Sequence, residues 1–535
     1  MVGQGLRRCV FFLLAGVLGA ASIVLWCTPS FLNQEDTVLR VAVPDFGAQV
    51  MDPSLEGKPG LLYHGPLYDY LIGTGPSGRP DPALGLVERW ETNENATRYT
   101  LILREGMHWH DGVEITTDDI AFSLAHYPRD VAVCGVCSDL EEILDRVEIV
   151  DRYTVRLHLK RSDPEFLSNL GPVRGDTPLL PKHYYEEVGA QGFQESPLGS
   201  GPWRFVERVQ GEYVEFEANR DHWNSERVPS FDRLRLIHIP APEDRLTMLR
   251  AGELDLTIVF LEDVEQLKAE GFQIQGPRYV LGTSLRLMMS YDSDYLTSSL
   301  PFRKALALGM DVKGTIQEIF PEAAAEAAPS APFASPADAG WDPSFIPYSY
   351  DPQTAQAFLE ESGYEGETVK ILSLVAYGMR QMPLTLERLT KDWRAIGLNV
   401  EIVSTDYPAI MSRFVPRPQN FADLAPAPIL HSPYVNWHGT VESIRQYMTS
   451  KDGTMMSYYD LEKGDRLYQE IFSIADPQER DQRIREVLHS MAEEYWVIPL
   501  LWRHDTYAVS PNVTGWQPTD GTSHDLRLET LRPVK

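Results

Sequence analysis

The feature that most limits how this chain can fold is one uncharged apolar run near its start, Cys9 to Cys27. At 19 residues it is close to the ~20 that a membrane-spanning helix needs. Arg7 and Arg8 precede it, and positive residues before an apolar stretch direct the following chain across a membrane. No other stretch is as long and apolar, so Asn33 to Lys535 are expected to form one water-exposed body.

Residues 1–32 are interpreted as an export signal or an N-terminal membrane anchor. Small residues at 19–22 suit a signal peptidase, but cleavage there leaves the apolar Ile23 to Trp26 at the new terminus. Leu25 and Trp26 do not suit lipoprotein processing at Cys27. We therefore predict a periplasmic or cell-exterior protein, with the segment either removed or kept as an anchor through residues 9–27.

Charge and length exclude several classes. The chain has 535 residues, 48 Lys+Arg and 77 Asp+Glu, which gives a formal net charge of −29. Such an acidic surface repels phosphate backbones, so no nucleic-acid partner is expected. This length predicts two or more domains, and we expect a monomer.

Cys134 and Cys137 form a Cys-x-x-Cys pair. A thioredoxin-like redox pair is one interpretation, whereas zinc would need a second pair or nearby histidines. Export to an oxidising compartment favours a third, a small disulfide loop at the surface. No metal site and no cofactor are predicted.

Hydrophobic periodicity indicates an α/β protein. Thr37 to Pro44 is a β-branched run typical of a buried strand, and Tyr153 to Lys160 alternates as a half-buried strand does. Thr116 and Asp119 have the spacing of a helix capping box. Residues 369–403 read as a strand–helix–strand unit. The Ala/Pro-rich segment 321–340 is expected to be an extended surface loop.

Two motifs suggest chemistry that their context argues against. Gly73 to Gly78 (GTGPSG) matches the dinucleotide-binding pattern, but Pro76 and the prolines that follow forbid a helix there, so a tight loop is predicted. His108 and His110 could face one metal ion from a strand, yet Asp111 and Gly112 favour a turn.

Signatures of ready-made enzymes are missing from the sequence. It contains no G-x-S-x-G, H-E-x-x-H or P-loop motif. A catalytic role is therefore not expected, although paired groups brought together by folding could still serve an exported hydrolase.

An ordered series of segments resembles the family 5 solute-binding proteins of ABC importers, the oligopeptide-, dipeptide- and nickel-binding group. The matching segments are Pro82 to Trp90, Leu103 to Ile120 with its Trp109-His110-Asp111-Gly112, Gly199 to Trp203, Asn219 to Trp223, Leu249 to Asp255, Phe302 to Asp311, and Tyr350 to Pro352 with Gly363 and Tyr364. Each match alone is weak, but they run in family order over most of residues 39–516.

The resemblance implies a two-lobed periplasmic-binding-protein-like fold with an extra inserted domain. Lobe I would take residues 36–81, 197–282 and 499–535, the more peripheral inserted domain 82–196, and lobe II 283–498. Crossings near Gly282-Thr283 and Ile498-Pro499 would form a hinge. The two lobes would close on a ligand, and an inner-membrane ABC permease would then recognise the closed form.

The resemblance also implies ligand-binding positions. In peptide-binding members, a segment of lobe II supplies a carboxylate that pairs with the peptide ammonium. Residues 425–440 correspond to that segment in this chain, and they contain no Asp. Trp437 and His438 remain as candidates at that location. The full set of predicted ligand-binding residues is Gly60, Leu61, Tyr63, Tyr291, Trp437, His438 and Trp502.

Three classes of function stay open from the sequence. The favoured one is an exported substrate-binding component of an ABC importer that captures a small polar solute, a peptide or a peptide-like molecule. A membrane-anchored ligand sensor or chaperone, or a binder of a nickel chelate or another non-peptide solute, is the alternative. A secreted hydrolase comes last.

Overall fold

Short β-branched runs separated by capped helices build three large sheets and a two-stranded ribbon. The computed structural model describes residues 36–57, 60–129, 132, 134, 136–173, 177–287, 295–321, 324–327, 333–336, 338–346, 348–374, 381–414, 422–434, 439–449, 461–474, 476–495 and 497–534.

The strands are β1 Val38–Val43, β2 Val87–Thr92, β3 Arg98–Leu103, β4 Leu144–Ile149, β5 Thr154–Leu159, β6 Trp203–Val209, β7 Tyr213–Ala218, β8 Arg233–His238, β9 Leu256–Ile258, β10 Gln273–Gln275, β11 Leu281–Leu287, β12 Ala325–Ala327, β13 Val369–Leu374, β14 Val400–Thr405, β15 Ile429–Tyr434, β16 Val497–Arg503, β17 Tyr507–Val509, β18 Val513–Thr514 and β19 Arg532–Pro533.

The helices are α1 Leu61–Leu67, α2 Thr117–His126, α3 Cys137–Ile143, α4 Lys182–Glu195, α5 Pro242–Arg250, α6 Val264–Ala269, α7 Leu300–Leu308, α8 Val312–Ile319, α9 Pro352–Glu361, α10 Gln381–Ala395, α11 Tyr407–Phe414, α12 Gly439–Met448, α13 Leu461–Phe472 and α14 Pro477–Glu493. Among the described residues, no helix combines the length and the apolar character that crossing a bilayer requires.

Each large sheet defines one part of the molecule. Lobe I is built on the order β10-β17-β9-β1-β8-β7-β6, and lobe II on β12-β16-β11-β15-β13-β14. The inserted domain carries the antiparallel sheet β2-β3-β5-β4, which lies in sequence between α1 and β6. The fold is therefore the predicted α/β architecture with two lobes and an insertion.

Local signals in the sequence account for several element ends. Thr116 and Asp119 form the predicted capping box at the start of α2. Asp351 caps α9 through the backbone N–H of Thr354, as its position before Pro352 predicts. β13, α10 and β14 form the predicted unit, with its two strands parallel and in register from Val369 and Val400.

The chain passes between the lobes at residues 276–280 and again at 504–506. β11 belongs to the lobe II sheet from Leu281, and β16 stays in it through Arg503. Both crossings therefore lie outside the predicted junctions at Gly282-Thr283 and Ile498-Pro499. β16 runs through the predicted junction at Ile498-Pro499 without leaving lobe II, because it pairs with β11 and β12 along its length.

The described residues of segment 321–340 do not form the surface loop that its composition predicts. Ala325–Ala327 form the edge strand β12 against β16, and Phe333 is fully buried in the lobe II core. Burial of that aromatic ring outweighs the preference of an Ala/Pro-rich sequence for extended surface structure.

The inserted domain is held to lobe I by a buried polar network. Asp52 of lobe I accepts hydrogen bonds from His126 Nε2 at 2.9 Å and from the Tyr185 hydroxyl at 2.9 Å. Asp52 is 1% exposed, and these bonds outweigh its burial and lower the pKa of its carboxyl to about 2. Lobe I and the inserted domain are thus joined by more than chain connectivity.

Cys134 and Cys137 are joined in a disulfide. The pair lies in the core of the inserted domain, 5% and 4% exposed, and not at the surface as expected. Burial follows because Cys137 begins α3, whose apolar face packs inward through Leu140.

Candidate functional site

A cavity of about 570 Å³ lies where lobe I, the inserted domain and lobe II meet. This interlobe cavity falls within the range of about 300–1,000 Å³ that small-molecule sites occupy. Its floor adjoins the first crossing at Tyr279, and Gly521 of the C-terminal loop lies beside it.

The inserted domain supplies an apolar wall. Trp90 on β2 and Tyr99 on β3 come from adjacent antiparallel strands, and Leu167 lies in the short 3-10 helix Phe166–Leu170 that follows β5. The Tyr99 hydroxyl donates to the Asp163 carbonyl at 2.7 Å, which fixes the ring. The inserted domain therefore forms part of the cavity wall. The resemblance implied a more peripheral position for this domain.

The glycine-rich segment 73–78 forms the lobe I rim. It is the predicted tight turn, since Gly78 N–H donates to the Gly75 carbonyl at 2.9 Å. A Cβ at Gly73 would come within 2.2 Å of the Gly85 backbone nitrogen, so only glycine allows this close approach. Thr74 and Arg79 then line the cavity.

Two arginines donate in opposite directions across the cavity. Arg79 of lobe I donates from Nη2 to the Asp338 carbonyl of lobe II at 2.9 Å. Arg480 on α14 of lobe II donates from Nη2 to the Pro164 carbonyl of the inserted domain at 3.0 Å. Charge-assisted bonds of this kind are stronger than neutral ones, and the pair links the two halves across the cavity.

Carboxylates of lobe II that line the cavity are engaged locally. Asp338 accepts from the Ser335 backbone N–H at 3.0 Å and from its hydroxyl at 2.6 Å. Asp481 accepts from Gly340 N–H at 2.9 Å and from Arg485 at 2.7 Å. These bonds shape the lobe II wall instead of leaving its acids directed at a ligand.

Tyr279 connects the cavity to the hinge. It is buried, lines the cavity, and has a φ of 58°, a conformation that aromatic residues rarely adopt. Its ring packs edge-on against Trp502 at 6.4 Å, and its hydroxyl accepts from Arg278 at 2.7 Å. Burial, with Glu326 nearby, raises the pKa of the hydroxyl to about 12, so it stays neutral.

The predicted lobe I site residues do not line this cavity. Tyr63 is fully buried and donates to Glu56 Oε2 at 2.6 Å in the core of lobe I. Leu61 is buried in the same helix. A Cβ at Gly60 would lie 2.1 Å from Glu56 Cγ, so this glycine lets the Glu56 side chain pass.

The remaining predicted residues fall into two groups. Trp502 is 1% exposed and lies one layer behind the cavity wall, under Tyr279. Tyr291, Trp437 and His438 lie outside the described residues, so their roles stay predictions.

A Ser-His-Asp grouping near the inserted domain is structural. Asp52 Oδ2 and the Ser54 hydroxyl both approach the same nitrogen, His126 Nε2, at 2.9 and 3.3 Å. A catalytic triad needs the acid and the nucleophile on opposite ring nitrogens. Arg129 also donates to Ser54 at 2.8 Å, so the serine is held in an ionic network.

The His108–Gly112 segment is the predicted turn. Gly112 has a φ of 89°, and Asp111 Oδ1 accepts from the Val113 N–H at 3.0 Å. His110 Nε2 bonds the Gly201 carbonyl at 2.9 Å, and burial lowers the pKa of this ring to about 4. Within the described residues no group of three His, Cys, Asp or Glu side chains is arranged to hold a metal ion.

Comparison with known proteins decides the family. Residues 81–423 match the bacterial extracellular solute-binding proteins, family 5 middle region. The chain belongs to this family. Family 5 proteins are non-catalytic, extracellular or periplasmic ligand-binding components of ABC transporters, which implies a permease partner.

Relatives of this family 5 protein have different ligands in their names. It is 27% identical over 376 residues to Di/tripeptide-binding protein 2 of Pseudomonas aeruginosa (strain UCBPP-PA14), covering 65% of this chain and 68% of that protein. It is also 27% identical over 360 residues to Heme-binding protein A of Haemophilus influenzae (strain ATCC 51907 / DSM 11121 / KW20 / Rd), covering 62% of this chain and 63% of that protein.

The fold matches solved structures over nearly the whole chain. The unliganded open form of MppA, a periplasmic murein tripeptide binding protein, superposes with a TM-score of 0.79 at 16% identity, covering 94% of this chain and 98% of that one. At this identity the match establishes the two-lobed architecture.

Proposed function

We propose that this family 5 protein captures a small polar solute of the peptide or peptide-like class in the interlobe cavity, closes on it, and presents it to an ABC permease. The observation that carries the proposal is a cavity whose walls come from both halves of a two-crossing hinge. A solute that touches both halves binds the closed arrangement more tightly and so shifts the population toward it.

The cavity chemistry supports an amphipathic solute. Trp90, Tyr99 and Leu167 offer apolar and aromatic contact, while Thr74 and Ser168 add hydroxyls that can pair with polar groups. Peptides combine backbone hydrogen-bonding groups with apolar side chains and fit such a lining. The di/tripeptide-binding relative supports the same class.

A non-peptide organic solute is the second candidate. The heme-binding relative and the largely apolar inserted-domain wall favour it. A nickel chelate, a permease-independent sensor or chaperone and a hydrolase are the further alternatives. The nickel chelate and the hydrolase each predict a different outcome in the experiment below.

The decisive experiment identifies what the protein carries. Native mass spectrometry of protein purified from its own host should show a bound small molecule released unmodified on denaturation. The refolded protein is then titrated with di- and tripeptides, heme and a nickel–histidine chelate, with the melting temperature and radius of gyration as readouts. If neither extract nor panel changes either readout, solute capture is wrong; conversion of a panel member to product would establish an enzyme instead.

Variants locate the site. Trp90→Ala removes aromatic contact from the cavity wall and should weaken affinity about tenfold without unfolding the protein. Trp437→Ala tests the sequence-predicted position in the same assay. Tyr350→Ala is the control, since Tyr350 is 47% exposed and does not line the cavity. Equal affinities for all three variants and the unaltered protein would place the solute elsewhere.

We also infer that residues 1–32 export the chain to the periplasm or cell exterior, with residues 9–27 either cleaved or retained as an anchor. These residues lie outside the described part of the chain. N-terminal sequencing of the mature protein distinguishes the two fates, and a start at Met1 in a soluble cytoplasmic fraction would contradict export.

A further inference from the structure

Arg278 lies on the first crossing, directly before the cavity residue Tyr279. The C-terminal loop of lobe I holds its backbone. The Arg278 N–H donates to Asp520 Oδ1 at 2.8 Å, and the Gly521 N–H donates to the Arg278 carbonyl at 2.7 Å. The same loop is tied to the lobe I rim, because the Asp520 N–H donates to the Pro76 carbonyl at 2.8 Å. The backbone of Arg278 is therefore fixed to lobe I.

The guanidinium of Arg278 reaches lobe II. Its Nη2 donates to Glu326 Oε2 at 3.1 Å, and Glu326 belongs to the edge strand β12, which pairs with β16. Burial opposes ionisation of Glu326, but its bond to His504 and the charges of His504 and Arg278 outweigh burial and lower the pKa of the carboxyl. The carboxylate is thus ionised near pH 7, and the ion pair joins a residue fixed to lobe I with a strand of lobe II.

The same guanidinium contacts the floor of the interlobe cavity. It lies 4.7 Å over the centre of the Tyr279 ring, within the ~6 Å of a cation–π contact. Its Nη2 also donates to the Tyr279 hydroxyl at 2.7 Å. Tyr279 lines the cavity, whereas Arg278 is not among the described residues that do so. Arg278 therefore reaches the cavity through the ring of Tyr279.

One nitrogen thus serves lobe II and the cavity floor together. Nη2 of Arg278 donates both bonds, and hydrogen bonds weaken steeply as their angles depart from linearity. The backbone of Arg278 cannot follow a rotation of lobe II, since the C-terminal loop holds it. Movement of Glu326 with lobe II must therefore stretch its bond to Arg278 or pull the guanidinium away from Tyr279.

We propose that Arg278 is a positioning residue for solute capture, whose guanidinium links the Tyr279 ring at the cavity floor to the angle between the lobes by way of Glu326. The inference rests on the proposed function, because it explains how lobe rotation reaches the solute. A solute that packs on Tyr279 in this arrangement favours the Arg278–Glu326 pair. By linkage, the pair favours the solute to the same extent.

Two pairs of substitutions test the role. Arg278→Met and Glu326→Gln each remove the ion pair and keep most of the side-chain shape. Arg250→Met and Glu270→Gln are the matched controls, because Arg250 Nε donates to Glu270 Oε2 at 2.7 Å with both residues in lobe I. The two pairs have similar exposure, 50% and 37% for the first and 37% and 32% for the control.

Each single variant and each double variant is measured in three ways. X-ray scattering without solute reports the separation of the lobes. Isothermal titration reports affinity for whichever di- or tripeptide, heme or nickel–histidine chelate binds the unaltered protein. Urea titration reports global stability, which a merely structural ion pair would change without affecting the other two measurements.

Arg278→Met and Glu326→Gln should each enlarge the radius of gyration without solute and weaken affinity about two- to fivefold, the range that a partly exposed ion pair allows. Their double variant should match Arg278→Met alone, because both substitutions break the same bond. The Arg250 and Glu270 variants should keep the radius and the Kd of the unaltered protein.

An unchanged radius and Kd for Arg278→Met would overturn the positioning role while solute capture stands. Additive effects of Arg278→Met and Glu326→Gln, or a loss of stability alone, would overturn it as well. If no probe binds the unaltered protein, the proposed function fails and the role of Arg278 in capture fails with it. Should Arg278→Met not fold, Glu326→Gln decides the same question with Arg278 in place.

Discussion

The backbone N–H of Tyr279 donates to Nδ1 of His504 at 3.1 Å, which joins the two crossings between the lobes. A second bond runs from the Asp505 N–H to the Pro277 carbonyl at 2.9 Å. The two passages of chain therefore form one hydrogen-bonded unit. The positive φ of Tyr279 is a strained conformation that these bonds hold in place.

The closeness of the crossings depends on Gly276. A Cβ at this position would lie 2.1 Å from the Asp505 carbonyl oxygen, a backbone atom that cannot rotate away. Gly276→Ala should lower the free energy of unfolding by about 1–3 kcal/mol, measured by urea titration, because it forces the crossings apart.

Gly65→Ala is the control for this substitution. Gly65 lies inside α1 with no atom near its potential Cβ, so alanine should leave stability unchanged or raise it by up to about 1 kcal/mol. If Gly276→Ala and Gly65→Ala behave alike, the crossings are not tightly packed.

The two opposed arginines should control how far the lobes separate. Arg79→Met and Arg480→Met each remove a charge-assisted bond to a carbonyl on the other side of the cavity. The double variant should have a larger radius of gyration without ligand in X-ray scattering, and a weaker affinity for solute, because closure starts from a more open population.

Arg413→Met provides the comparison for the arginine variants. Arg413 pairs with Asp423, which is 58% exposed at its side chain, on the surface of lobe II. Surface ion pairs contribute about 0–1 kcal/mol, so this variant should scatter like the unaltered protein. An unchanged radius for the arginine double variant would show that its bonds do not hold the lobes.

Asp52 should make stability depend on pH in the acid range. Its folded pKa, about 2, is below the ordinary 3.8, so the unfolded chain binds the proton more readily between these values. Its stabilisation is complete above pH 4 and is lost as the pH falls toward 2, by about 2 kcal/mol.

Asp52→Asn should flatten that pH dependence and destabilise the protein at pH 7. Urea titrations at several pH values between 2 and 5 measure both effects. Asp423→Asn is the exposed comparison: its bond to Arg413 also lowers the pKa of the Asp423 carboxyl, but at an exposed ion pair, so this variant should reduce the slope less than Asp52→Asn. An identical slope for Asp52→Asn would mean that the buried network does not hold Asp52 ionised.

Loss of the Cys134–Cys137 disulfide should weaken the fold without altering solute binding. The loop is short, so its closure contributes about 2 kcal/mol at most. A Cys134→Ala, Cys137→Ala variant should melt at a lower temperature with an unchanged Kd, because neither cysteine lines the interlobe cavity. A higher Kd for this variant would show that the core around the disulfide affects the binding site.

The fold was largely predictable because its motifs hold the scaffold. A Cβ at Gly199 would lie 2.0 Å from the Leu67 carbonyl oxygen, and one at Gly201 2.7 Å from the Pro66 carbonyl oxygen, so this motif lets two segments pack. Trp223, from another matching segment, donates to buried Asp69 at 3.0 Å. Such residues identify an architecture and carry no information on the ligand.

The cavity residues were missed for the complementary reason. Trp90, Arg79 and Arg480 are ordinary in their local sequence and meet only through tertiary structure. Trp90 stands within a segment that matches the family, which was the only available signal.

The inserted wall at Trp90 and Tyr99 is built on its own sheet, apart from the strands that lead into either crossing. This wall of the proposed site is therefore separate from the strands that lead into the hinge, which touches the cavity at Tyr279. Exchanging side chains on β2 and β3 offers a route to redirect this carrier toward a new cargo while leaving its pivot intact.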